Sequence, residues 1–171
     1  MLESKTINMR LISEDDAEFI LKLRLDERYN RFLSAVDDNV DNQKAWIRRY
    51  KKDEEERKQF YFIIERKDGI PCGTVRIYDI KDESFCWGSW ILNENKTRYS
   101  SIESAFMIYD FGFNILGFNK SHFEVIKDNV KVVSFHEKFG AIKTGEDAEH
   151  YYFEITKDAV MKSRDKFKAL L

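Results

Sequence analysis

Three strand-length segments rich in aromatic and β-branched residues follow one another between Phe60 and Leu92, and the chain's most apolar helix comes next. Phe60–Glu65 (FYFIIE), Gly73–Tyr78 (GTVRIY) and Ser84–Leu92 (SFCWGSWIL) are separated by Lys67-Asp68-Gly69 and Lys81-Asp82-Glu83. Turn signals that short make neighbouring strands antiparallel, so the segment is predicted to be a meander. In the helix that follows, roughly Ile102 to Leu116, the residues Ile102, Phe106, Tyr109, Phe113 and Leu116 form one apolar stripe. Met107, Ile108 and Phe111 cover much of its remaining surface, so the helix is predicted to be buried on more than one side.

The flanking segments extend this into an α/β arrangement. Ile7, Met9 and Leu11 alternate with polar residues as a half-buried strand. Ser13-Glu14-Asp15-Asp16 is a capping-box-like start for a helix that carries Ala17, Ile20, Leu21 and Arg24 and runs to about Leu25. Residues 26–40 read as irregular. Asp41 begins a second amphipathic helix, with Ala45, Trp46, Ile47 and Tyr50 towards the core and the charge run Lys51–Lys58 as a solvated end. Lys120–Ile126 and Tyr151–Ile155 are further strands, Asn129–Phe139 is a short helix stopped by Gly140, and the tail after Asp158 is helical. The order β-α-α-β-β-β-α-β-α-β surrounds one mixed sheet, and 171 residues suit a single domain over 1–171.

Composition removes several classes of function. Apolar residues at 43% exclude disorder, and 29 basic against 31 acidic residues leave no basic footprint, so no nucleic-acid partner is expected. Cys72 and Cys86 have neither a disulfide framework nor metal-ligand spacing, so reduced thiols and no metal are expected. The N-terminus lacks an apolar signal core, and Glu103, Asp110 and Asn114 interrupt the most apolar stretch. No membrane segment is expected, and the location expected is cytoplasmic.

Two units could carry chemistry. In the first, strand 84–92 runs through loop 93–99 into a helix whose opening, Ser100-Ser101-Ile102-Glu103, fits a capping box with Ser100 as cap and Glu103 reaching back. A helix N-terminus offers unpaired N–H groups and a positive dipole end to a phosphate, and Lys96 and Arg98 add charge beside it. A capped helix with no ligand reads the same way. The second unit sets Asn129 at a strand-to-helix junction with His136 two helical turns on, beside Val132 and Val133. Such a histidine is either a packing residue or a proton donor or acceptor in a partly dry pocket.

Trp87-Gly88-Ser89-Trp90-Ile91-Leu92, Ile102-Glu103-Ser104-Ala105, and Asp128-Asn129 through Glu137-Lys138-Phe139-Gly140-Ala141 together resemble the GNAT superfamily of acetyl-CoA-dependent N-acetyltransferases. The order of elements matches along nearly the whole chain. The resemblance implies a twisted mixed sheet splayed between its fourth and fifth strands, with the pantetheine arm of acetyl-CoA in the gap. It implies that Trp90, Ile91 and Leu92 border pantetheine and that Thr97, Arg98, Tyr99, Ser100, Ser101 and Ile102 meet the pyrophosphate. Asn129 then lies near the thioester. Two departures stand out: Thr97 and Tyr99 occupy positions normally glycine, and His136 falls where the family carries the tyrosine that protonates the leaving thiolate. The resemblance makes His136 the candidate catalytic acid, or a base acting through water. A carboxylate base on the fourth strand is replaced by Cys86-Trp87, leaving Asp79 and Glu83 as substitutes.

A narrower resemblance over Leu23–Leu33, Gln43–Ile47 and Phe60–Ile64 points to enzymes acetylating amino sugars on nucleotide carriers, and to ribosomal-protein N-terminal acetyltransferases. It implies a small-molecule amine acceptor touched by residues 26–40, with Arg28 or Arg31 on a phosphate and Asp79 and Trp87 nearby. A non-catalytic acyl-CoA-binding module of the same fold is a further reading, and a homodimer is left open.

Overall fold

The computed structural model describes residues 1–171. An eight-stranded sheet, β1 (Leu2–Glu3), β2 (Ile7–Leu11), β3 (Phe60–Arg66), β4 (Pro71–Lys81), β5 (Ser84–Leu92), β6 (Lys120–Ile126), β7 (Ile142–Glu146) and β8 (His150–Thr156), has the spatial order β1-β2-β3-β4-β5-β6-β8-β7. Every neighbouring pair is antiparallel except β5 and β6. Helices α1 (Ala17–Leu25) and α2 (Val40–Glu55) bring Ala17, Ile20, Ile47 and Tyr50 together with Tyr61 and Ile63 of β3. Residues of α3 (Ser100–Asp110), α4 (Val130–Lys138) and α5 (Lys157–Lys166) join a larger core that includes Phe62, Val75, Phe85, Trp87, Phe123 and Phe153 from the strands.

Local sequence explains most of this. Ser13 starts the turn before α1 as expected: its backbone N–H donates to Asp16 at 2.8 Å, and Arg10 grips the same carboxylate through two 2.8 Å bonds. Burial works to raise the Asp16 pKa, but the bonds from Arg10 and Ser13 outweigh it and hold the carboxyl below its ordinary range. The stability this adds is present at neutral pH and is lost as the carboxyl protonates in acid. The meander forms as predicted, with Gly69 at φ +86° in its first turn. Every residue of α3 from Glu103 to Tyr109 is buried, which matches a helix apolar on more than one side.

Four elements differ from the sequence reading. Strand β1 is only two residues long, and β7 has every residue exposed, so neither shows an alternating pattern. After Asp110 the helix widens into a π turn, Phe111–Ile115, where Gly112 passes against Phe85. The capping box at α3 does not form: Ser100 is the first helical residue, and Glu103 reaches across to the β1–β2 turn instead.

A β-carbon at Gly112 would lie 2.1 Å from the fully buried Phe85 ring. Gly112→Ala is therefore expected to cost about 1–3 kcal/mol by overpacking, read as a lower urea midpoint with an unchanged slope. A midpoint equal to wild type would show that the π turn yields freely.

Candidate active site

The only pairing between β5 and β6 is at their first residues, Ser84 with Lys120 and Phe85 with Ser121, a joint fastened by Ser121 Oγ donating to the Phe85 carbonyl at 2.6 Å. Beyond it the strands part. β5 stays on β4, and β6 stays on β8 along its whole length. The gap opens a cleft of about 550 Å³. One wall carries Trp87, Gly88, Ser89 and Trp90, and the other carries Phe123, Glu124, Val125, Asn129 and His136.

Ser89 sits at φ +46° in a bulge of β5: Thr74 opposes Ile91 and Arg76 opposes Gly88, so Ser89 and Trp90 share the place of one β4 residue. The Ser89 carbonyl accepts from Thr74 Oγ1 at 3.0 Å, and a bulge of this kind re-aims a strand edge next to a site. Trp90 is fixed by its indole N–H donating to Ser104 Oγ at 3.1 Å, with its ring 5.0 Å from Phe135. Ile91 is buried and paired with Thr74 of β4, while Leu92 is half-buried, and neither lines the cleft. Trp87 is almost wholly enclosed, packed edge-on to Tyr109 and His136; it forms the wall of the cleft rather than a free stacking platform.

At the far end of β5 the chain turns into α3. The backbone N–H groups of Arg98, Tyr99, Ser101 and Ile102 donate to nothing within the protein. Thr97 is accommodated by side-chain bonds, and Tyr99, at φ −113°, has a backbone that does not require glycine. Thr97 Oγ1 meets Thr6 Oγ1 at 2.7 Å and Ser100 Oγ at 2.6 Å, and the Thr97 N–H donates to Ser100 Oγ at 2.8 Å. Glu103, fully buried, anchors this chain by accepting from Ser4 Oγ at 2.8 Å, the Thr6 N–H at 2.7 Å and the Thr6 hydroxyl. Thr97 is thus tied down on its inner side, and the helix end keeps free donors beside the exposed cations Lys96 and Arg98. This arrangement suits a diphosphate. The Asn129 side chain makes no capping bond to α4, so its amide is available to the cleft it lines.

His136 also lines the cleft, but not as a proton donor of ordinary strength. Its ring lies 4.1 Å from Phe123 and 5.4 Å from Trp87 between centroids, and its buried Nδ1 has no partner. Burial pushes its pKa down to about 3. The imidazole is therefore neutral at neutral pH, which corrects the expectation of an imidazolium acid or an efficient base. Burial likewise pushes the Cys86 thiol up to about 11, so it supplies no nucleophilic thiolate.

The acceptor end differs more from expectation. Residues 26–40 do reach the cleft, through Tyr29, Phe32, Leu33 and Ser34. Their arginines do not: Arg28 is paired with Asp26 at 2.7 Å and Glu94 at 3.5 Å, and Arg31 lies over the Phe32 ring, exposed. Asp79 also stays outside. A register shift between Tyr78 and Lys81 turns it, at φ +46°, towards His122 Nε2 at 3.0 Å, while His122 Nδ1 meets Ser84 Oγ at 2.6 Å. The charged groups that do line the cleft are Arg24, Arg76 and Glu124. Only a fold that brings α1, β4 and β6 together makes them neighbours, and no motif spacing in the sequence marks them.

Residues 6–142, well over half of the chain, match the family of Acetyltransferase (GNAT) domains. The chain belongs to the GNAT acetyltransferase family. Among solved structures, apo FdhC, a nucleotide-linked sugar GNAT, is 46% identical with a TM-score of 0.90, covering 98% of this chain and 96% of that one. Ribosomal-protein-S5-alanine acetyltransferase from Vibrio fischeri is 17% identical with a TM-score of 0.79 (92% and 96% covered). Spermidine N-acetyltransferase from Vibrio cholerae, in complex with CoA and spermine, is 18% identical with a TM-score of 0.76 (91% and 98% covered), and these last two likenesses speak to the fold alone. No curated protein matches the sequence. This GNAT protein is an acetyl-CoA-dependent N-acetyltransferase, and its strands part where the family places acetyl-CoA. No helix is long and apolar enough to cross a membrane.

Proposed function

We propose that the whole chain acts as one N-acetyltransferase domain that moves the acetyl group of acetyl-CoA to a primary amine of an amino sugar carried on a nucleotide. The near full-length likeness to FdhC is the observation that carries this reading. The charges lining the cleft agree with it. Two arginines and one carboxylate suit an acceptor with an anionic end and an amine, whereas a groove for protein N-termini would be acidic.

In this reading the free N–H groups of Arg98, Tyr99, Ser101 and Ile102, with the Lys96 and Arg98 side chains, hold the diphosphate of acetyl-CoA, and Asn129 and Trp90 border its pantetheine arm. Acetyl-CoA supplies an activated acyl carbon and a thiolate leaving group. Glu124 of β6 makes no ion pair or hydrogen bond in the protein and faces the cleft, so it is free to hold the acceptor amine and take the proton that nitrogen sheds. Tyr78 lines the same cleft, its hydroxyl kept protonated chiefly by burial, then by neighbouring Cys86, and least by the Glu124 charge. A backbone N–H at the Ser89 bulge is the donor for the oxygen that gains charge as the amine adds. His136, neutral, contributes a ring N–H as a hydrogen-bond donor near the departing sulfur rather than a full proton. The cleft holds both reactants together, and proximity of this kind is worth roughly 7–11 kcal/mol of barrier.

The test is acetylation, followed by mass spectrometry, of a panel containing nucleotide-linked amino sugars, N-terminal peptides and spermidine. The expected product is the N-acetylated amino-sugar nucleotide, 42 Da heavier by roughly the mass of an acetyl group replacing hydrogen. Acetylation confined to peptides or spermidine overturns the acceptor assignment.

A further inference from the structure

We infer that Arg24 of α1 and Arg76 of β4 form an anion subsite that grips the diphosphate of the nucleotide-linked acceptor, a reading that rests on the proposed function. Both line the cleft, yet neither forms an ion pair with any carboxylate in the protein. Arg76 is held over aromatic rings, with its guanidinium carbon 4.9 Å from the Tyr78 centroid, 5.5 Å from Trp46 and 5.9 Å from Tyr61. Its Nε donates to Gln59 Oε1 at 2.9 Å, which fixes the plane of the fork and leaves the two terminal nitrogens unused. Arg24 gives one terminal nitrogen to the Ser34 carbonyl at 2.8 Å and to Ser34 Oγ at 2.7 Å, while its Nε is buried with no partner.

Two cations set side by side in a partly dry cleft repel. Burial pulls the Arg76 pKa below its ordinary value; Tyr61 and Tyr78 oppose this, and the Arg24 charge adds to the downward pull. An arginine cannot relieve that cost by losing its proton. The arrangement is therefore incomplete without an anion. Two spare terminal nitrogens on Arg76 and one on Arg24 match phosphate oxygens better than a single charge would. Tyr29 and Phe32, from the loop after α1, line the same cleft and add aromatic surface beside the arginines, each ring with one face already covered by Arg28 or Arg31. Glu124 supplies the opposite charge for the amine. The acceptor then lies with its diphosphate on α1 and β4 and its amino group towards β6.

The experiment uses the full chain, with Arg24→Met and Arg76→Gln as variants and folding checked by thermal melting. Calorimetric titration with uridine diphosphate is run in saturating CoA, so that the N-terminal end of α3 is already occupied. Wild type is expected to bind, and each variant to bind roughly 10–100-fold more weakly, the range expected for a lost hydrogen bond to a charged group. In steady state the KM for a nucleotide-linked amino sugar is expected to rise by a similar factor in each variant, with the KM for acetyl-CoA unchanged. If wild type acetylates the sugar nucleotide and both variants keep its KM, the subsite is wrong and the proposed function stands. If wild type acetylates no sugar nucleotide yet binds uridine diphosphate through both arginines, the subsite stands and the acceptor assignment falls. Absence of uridine diphosphate binding to wild type overturns the subsite.

Discussion

Replacing Glu124 with glutamine is expected to lower kcat by about 10²–10⁴-fold while leaving the KM for acetyl-CoA near wild type. The size follows from what the side chain can do and from what surrounds it. An amine reaches the cleft mostly as an ammonium ion, which has no lone pair to attack with. Glu124 is the one carboxylate lining the cleft, and unlike Asp79 or Asp26 it is not committed to a histidine or an arginine. Glutamine keeps the length and the hydrogen-bonding shape but accepts no proton, so binding contacts survive and proton removal does not. Raising the pH should restore part of the lost rate in the variant, because free amine then becomes available without a base. A variant with wild-type kcat at neutral pH would take Glu124 out of the chemistry and leave proton removal to water.

Glu124 also shows where sequence reading stops. The start of α3 was legible as a local pattern, a strand, a loop and a helix start adjacent in sequence, whereas the splayed strands and the places of Asn129 and His136 came only through the family resemblance that such local motifs carry. The α3 cap was misread for the converse reason. Ser100 and Glu103 have capping-box spacing, yet a carboxylate in α3 found three donors on the β1–β2 turn, 97 residues or more away in sequence, and those contacts outweighed the local bond. Arg28 and Arg31 looked available because nothing in the sequence shows Asp26 and Glu94 closing on Arg28. Arg24 and Arg76 looked like ordinary helix and strand arginines, and only the sheet order makes them neighbours in one cleft. Strand β7 had no periodicity to read, since all of its side chains face solvent.

His136 is expected to make the protein lose stability as the pH drops from about 6.5, well before most carboxylates begin to protonate. In the unfolded chain the imidazole takes up a proton near its ordinary pKa of about 6.5, whereas in the fold burial delays this to about 3. Between those values the unfolded state binds more protons than the folded state, so stability falls with falling pH, by up to ~1.4 kcal/mol per pH unit. Phe123, Trp87, Phe135 and Phe153 surround the ring, and none offers a charge to stabilise an imidazolium. His136→Phe fills the same space without a titrating group. Across pH 6.5 to 5, urea unfolding of wild type should therefore lose roughly 1.6 kcal/mol that the variant retains. Parallel curves would mean that the imidazole titrates normally and is reached by water. The same variant separates stability from chemistry. On the proposed role of His136, turnover should fall while acetyl-CoA still binds, because the variant loses the ring N–H proposed to act near the sulfur and leaves the proposed diphosphate grip intact. The wild-type rate profile should also show no limb near pH 6.5 that disappears in the variant, since a neutral imidazole has no proton to gain or lose there.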